Sequence, residues 1–245
     1  MNSEQRGISG LHFTIFGIPV IIQHFSWLIL GILGLLFFEH LENPLPAILL
    51  FIVVGMLSIL AHEMGHAVVS RAFTRATPVI IISNLGGTTY HPISMPSRLK
   101  HFLMTLAGPL SGYMLGVLMA LALGIQVGNP LLGVETYVLH PLVAPNLPLV
   151  LADMGLLHPV MGLMYAIFFM ITFWWTAFNL MPILPMDGGQ LLLTATNKPK
   201  LAAGIGLALS SVFAIYFISG GSIFMGMMLG YFAWINWQIF NYNNR

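Results

Sequence analysis

Residues 61–70 read AHEMGHAVVS, and they lie inside an apolar run that begins at Ala47. On a helix His62 and His66 are four residues apart and share one face, where both imidazoles can reach a single metal ion, with Glu63 beside that ion's open position. This HExxH arrangement sits where ionisable side chains are costly, so it marks a functional site within a membrane helix. A polar patch that merely ties helices together needs neither this spacing nor these residue types.

The surrounding composition supplies the setting. Of 245 residues, 58% are hydrophobic and 6% charged, and the mean hydropathy is +0.90, far from ordinary globular usage. The chain reads as one polytopic membrane domain spanning 1–245 and embedded in the lipid bilayer. A spanning helix needs about 20 mostly apolar residues, and six candidates fall at about 20–38, 47–70, 102–125, 158–180, 201–219 and 222–240. The expected fold is therefore all-α, with six transmembrane helices and a short re-entrant β-hairpin after the second. No cleavable leader is expected, because His12 and Gln23 interrupt the first apolar stretch. The absence of cysteine excludes disulfides and thiolate ligands, and a net charge of +1 gives no reason to expect a nucleic-acid partner.

Threading the six spans alternately places all eight basic residues on one side. Arg6 precedes the first span, Arg71, Arg75, Arg98 and Lys100 follow the second, Lys198 and Lys200 follow the fourth, and Arg245 follows the last. The opposite loops carry Glu39, Glu42, Glu135 and Asp153 but no lysine or arginine. Both termini are thus expected in the cytoplasm, in a prokaryotic cell membrane.

The segment Thr77–Pro96, TPVIIISNLGGTTYHPISMP, has a β-branched run, a Gly-Gly pair and bracketing prolines, and it predicts a hairpin at about 78–91. Such a hairpin can dip into the bilayer only where protein or a wet cavity satisfies its backbone, and it would then offer a strand edge. A substrate helix must unwind before its amides are accessible, and pairing with the edge near Ile82–Thr89 would replace its lost hydrogen bonds. Asn84, Gly86, Gly87 and Thr88 are the candidate substrate contacts there.

A catalytic zinc site takes three protein ligands and one water, so HExxH is one ligand short. The chain has two aspartates. Asp153 falls in the opposite loop, whereas Asp187, in NLMPILPMDGGQ, falls at the same membrane face as His66. Pro182 and Pro185 break the helix before it, and Gly188 and Gly189 permit close backbone approach. Asp187 is the expected third ligand.

These elements resemble the site-2 proteases, intramembrane zinc metalloproteases that cut transmembrane segments in regulated signalling. His62-Glu63-Met64-Gly65-His66, then Ala107-Gly108-Pro109, then Asn179 to Gly189 occur in the family's order, and Phe16–Trp27 resembles the start of its compact branch without a PDZ insertion. The likeness covers nearly the whole chain. Met186 replaces a usual leucine, and Gly112 stands where many members have asparagine.

The resemblance implies one zinc ion per chain, held by His62, His66 and Asp187, with Glu63 as the proton-transferring catalytic residue and a transmembrane protein as substrate. It also implies a place for Asn179 near the metal, as an oxyanion donor. The rival reading is a membrane metal transporter using the same cluster as a transit site, which should show further ligands through the bilayer or an inverted repeat. Neither is visible, and the oligomeric state is not legible.

Overall fold

The computed structural model describes residues 9–83 and 86–242. Two short strands, β1 (Leu11–Ile15) and β2 (Ile18–Ile22), open the chain, followed by helix α1 (His24–Phe38) and the 30-residue helix α2 (Leu45–Thr74). Strands β3 (Val79–Ser83) and β4 (Gly86–Tyr90) come next, then α3 (Arg98–Gln126). Two short helices, α4 (Pro130–Leu139) and α5 (Asn146–Asp153), lead to α6 (Pro159–Asn179). The chain closes with α7 (Asp187–Thr196), α8 (Pro199–Ser219) and α9 (Ile223–Tyr242).

Helix ends follow local chemistry. Ser97 caps α3, its hydroxyl accepting from the Lys100 amide at 3.3 Å, and Pro159 and Pro199 occupy first-turn positions where a missing N–H costs nothing. Arg75 ends α2 in the left-handed conformation at φ 60°.

Among the described residues, five helices are long and apolar enough to cross a membrane: α2, α3, α6, α8 and α9. The six-span count differs at the first span. Residues 18–22 form β2, and α1 has 15 residues, which at about 1.5 Å per residue reaches only about 22 Å of a roughly 30 Å hydrocarbon core. The reason is that Ile18, Val20, Ile21 and Ile22 are all buried, so the strand reads as a continuous apolar run and merges with the helix behind it.

The hairpin likewise belongs to something larger. The sheet has four strands in the order β1-β2-β3-β4, with β1/β2 and β3/β4 antiparallel and β2/β3 parallel. The β1/β2 turn uses Phe16 and Gly17 at φ 50° and 76°, the paired positive φ values that a tight two-residue hairpin loop requires. Arg71 at the end of α2 donates to the Phe16 carbonyl at 2.8 Å, clamping this turn. Ser26 Oγ and the Gln23 amide both donate to the Ile82 carbonyl, tying α1 to β3. β4 is left as an edge strand.

Helices α2 and α3 cross in close contact. A Cβ on Gly65 would run into the Ala107 carbonyl and Ser111 Oγ, and Ser111 Oγ lies 2.7 Å from the Ala61 carbonyl, to which it donates. Small residues at the crossing let the backbones approach, as packing between membrane helices requires. The main core continues through α6, whose Phe169 is fully buried against Tyr137 of α4.

Candidate metal and active site

Helix α2 carries His62, Glu63 and His66 at 3%, 5% and 7% exposure, and the three offer ligating atoms within 4.8 Å of one another. Asp187 is the first residue of α7, delivered after the turn that ends α6. That turn folds back on itself so tightly that a Cβ at Gly188 would strike the Leu180 and Met181 carbonyls, and one at Gly189 would lie 2.6 Å from the Ile183 carbonyl carbon. Glycines are therefore required for Asp187 to face α2. Asn236 of α9 secures the same turn, its Nδ2 donating to the Leu184 carbonyl at 2.7 Å within a fully buried setting.

The three donors converge. His62 Nε2 and Asp187 Oδ2 are 2.9 Å apart, His66 Nε2 and Asp187 Oδ2 are 3.4 Å apart, and the two Nε2 atoms are 3.2 Å apart. Tetrahedral zinc with ligand bonds of about 2.0–2.1 Å separates its ligands by about 3.3 Å, so these spacings fit one ion. The tautomer fits as well. His66 Nδ1 donates to the Met104 carbonyl at 2.9 Å, which leaves the Nε2 lone pair directed at the cluster. Asp187 Oδ2 is buried and lies within 3.4 Å of both imidazole Nε2 atoms, where a third ligand oxygen would sit.

Glu63 faces the sheet edge. Thr89 Oγ1 lies 2.7 Å from Glu63 Oε2 and 3.1 Å from the Glu63 carbonyl, and its proton is better used on the shorter contact. Gly87 leaves the room that Glu63 occupies, since a Cβ there would overlap Glu63 Cγ and stand 2.6 Å from Oε1. Gly87 and Thr89, two apart on one strand face, thus hold the carboxylate beside the metal-ligating atoms.

The remaining sequence candidates are placed differently. Thr88 is exposed and paired with Ile81, and a Cβ built on Gly86 would lie 3.5 Å from the Trp175 ring. Asn84 lies outside the described residues. Asn179 Nδ2 donates back to the Trp175 carbonyl of its own helix at 2.8 Å, which uses one of its two N–H donors. Position 112 stands 3.8 Å, measured from the Cβ it lacks, from His62 Nδ1, a buried nitrogen with no hydrogen-bond partner among the described residues.

Thr89, Met104 and Asn236 escaped the sequence reading. A signal existed for Asn236, an amide placed after a dozen apolar or small residues of its span. None existed for the Met104 carbonyl. Outside the spans, His91 Nδ1 lies 2.8 Å from Ser70 Oγ, and burial holds its pKa below the ordinary histidine value, with the neighbouring His66 and His101 adding to the shift.

Known proteins resemble this chain in sequence and in fold. Residues 50–219 match Peptidase family M50. The chain belongs to the M50 peptidases, the family of the site-2 proteases. A zinc metalloprotease of Methanocaldococcus jannaschii is 25% identical over 216 residues, covering 83% of this M50 chain and 52% of the relative. A Synechocystis relative is 27% identical over 187 residues, 42% of its own length, so this chain spans about half the length of the curated relatives it matches. The solved site-2 protease of Methanocaldococcus jannaschii superposes with a TM-score of 0.55 at 17% identity, over 94% of both chains, which establishes a shared fold. Nothing in these matches points to a metal transporter.

Proposed function

We propose that this M50 chain is a zinc-dependent intramembrane endopeptidase that hydrolyses peptide bonds in or near transmembrane segments of protein substrates. The observation that carries the reading is the convergence of His62, His66 and Asp187 at ligand spacing, with Glu63 held beside them by an edge strand.

His62, His66 and Asp187 would hold one zinc ion. When bound, zinc supplies a Lewis acid and lowers the pKa of a coordinated water toward about 7. Glu63 accepts the proton of the attacking water as the new C–O bond forms, and it returns a proton to the amide nitrogen as the C–N bond breaks. Thr89 keeps the carboxylate aimed through this transfer. The substrate, unwound near the cut, adds as a strand to β4, so its backbone groups are paired while one carbonyl is presented to Glu63.

The basic residues after α2, after α6 and at Arg245 support an orientation with these ends on the cytoplasmic side of a prokaryotic membrane, and β2, paired with β3 just beyond α2, brings the N-terminal strands to that side as well although α1 is short for a full span. Purified protein, mixed in detergent with a single-span substrate and zinc, should generate two fragments, and a chelator should stop this until zinc is restored. Zinc flux into proteoliposomes without any proteolysis would instead favour the transporter.

A further inference from the structure

Where β4 ends at Tyr90, the chain enters a cavity of about 420 Å³ whose lining includes His91, Ser94, Ser97, Arg98, His101 and Met104. It adjoins the active site through two of its lining residues: the Met104 carbonyl is the group that receives His66 Nδ1, and His91 touches Ser70 one turn of α2 beyond His66. No carboxylate lines it, and Arg98 has no acidic partner among the described residues. Every ionisable side chain on the wall is a hydrogen-bond donor or a cation, with Arg98 the permanent charge.

The position follows from the strand edge. Glu63 meets β4 at Gly87 and Thr89. A substrate strand laid along β4 is cut near that point, and at about 3.3 Å per residue it reaches the cavity two to four residues further on. Building on the protease reading, we propose that this cavity is a specificity subsite, which takes an acidic side chain of the substrate located two to four residues from the scissile bond. Arg98 supplies the charge, and His91, His101 and the two serines supply further donors around the carboxylate.

The test uses the full chain in uncharged detergent with no added lipid. Substrates carrying Glu, Gln or Lys at successive positions flanking the mapped cleavage point are compared by kcat/KM, as the Glu-to-Lys ratio within each enzyme. The parent should favour Glu about fivefold at one position two to four residues from the bond, the upper range for a partly exposed ion pair. Arg98→Gln should bring that ratio near one, and Arg98→Glu should invert it. Each ratio is internal to one enzyme, so partial loss of folded protein cancels, and Arg98→Gln carries the test if the charge reversal does not fold. A ratio unchanged by either variant overturns the subsite. So does a parent enzyme with no Glu preference at any position in detergent whose turnover of every substrate rises, in an Arg98-dependent way, when anionic lipid is added in a second arm, which would assign the cavity to a lipid headgroup. A parent enzyme that cuts no substrate in the series overturns the protease reading itself, and the subsite with it.

Discussion

Replacing Gly108 by alanine should weaken metal binding about 100-fold or more, although the residue carries no ligand. The added methyl would overlap the His66 imidazole at Nε2 and Cε1 and stand 2.7 Å from Cδ2. Non-bonded carbons settle at about 3.5–4.0 Å, so the ring must retreat by roughly 1 Å or α3 must move off α2. Both movements are opposed. His66 Nδ1 is held at 2.9 Å from the Met104 carbonyl, and the Gly65 crossing leaves the helices no slack. Displacing Nε2 by that amount takes it out of reach of an ion that needs all three ligands at about 2.0–2.1 Å. Loss of a partner outside the ligands already costs about 10–100-fold in metal affinity, so a displaced ligand should cost about 100-fold or more. Gly112→Ala, one helical turn away on α3, is the control, because its methyl would meet nothing closer than Thr176 Oγ1 at 3.4 Å. Zinc affinity is read by competition with a chromophoric chelator on purified protein, and thermal melting checks that both variants fold. Equal affinity in Gly108→Ala and Gly112→Ala would refute the reasoning.

Three other outcomes follow from the same contacts. Thr89→Val keeps the shape but removes the hydrogen bond to Glu63, and it should lower kcat/KM about tenfold, within the range for a bond to a charged group, with zinc content unchanged and Thr89→Ser restoring the rate. Loss of zinc or an unaltered rate would contradict the role. Asn236→Leu strands the buried Leu184 carbonyl, and it should cost about 1–3 kcal/mol of stability and weaken zinc retention, because that carbonyl lies in the turn that delivers Asp187. An unchanged melting temperature would show the contact to be dispensable. For orientation, a cysteine at exposed Ser94 should react with a reagent confined to the cytoplasm while one at Leu142 is spared, and the reverse pattern would invert the topology.

The legible parts of the sequence were those with a strict period or a rare residue type. HExxH announces itself because two imidazoles and a carboxylate at helical spacing are costly inside hydrocarbon unless they bind something there, and Asp187 was found because aspartate is scarce in this chain. Strand β2 was illegible because a strand buried on both faces alternates in nothing, so Ile18–Ile22 looked like the beginning of α1. The pairing of β2 with β3 joins residues sixty positions apart, as in Val20 with Ile80, and no local pattern reports it. Thr89 rather than Thr88 meets Glu63 because of the strand's register against α2, a tertiary fact that a Thr-Thr pair does not disclose. The Met104 carbonyl is a backbone group and leaves no trace in residue type.

The most direct test of the central claim is a paired measurement on Glu63→Gln. Metal content and cleavage of one transmembrane substrate are determined on the same purified sample, beside the parent protein. The amide keeps the shape of Glu63 but cannot take a proton from water, so the variant should hold one zinc per chain and cut nothing above background. Full zinc with undiminished cleavage would contradict the account.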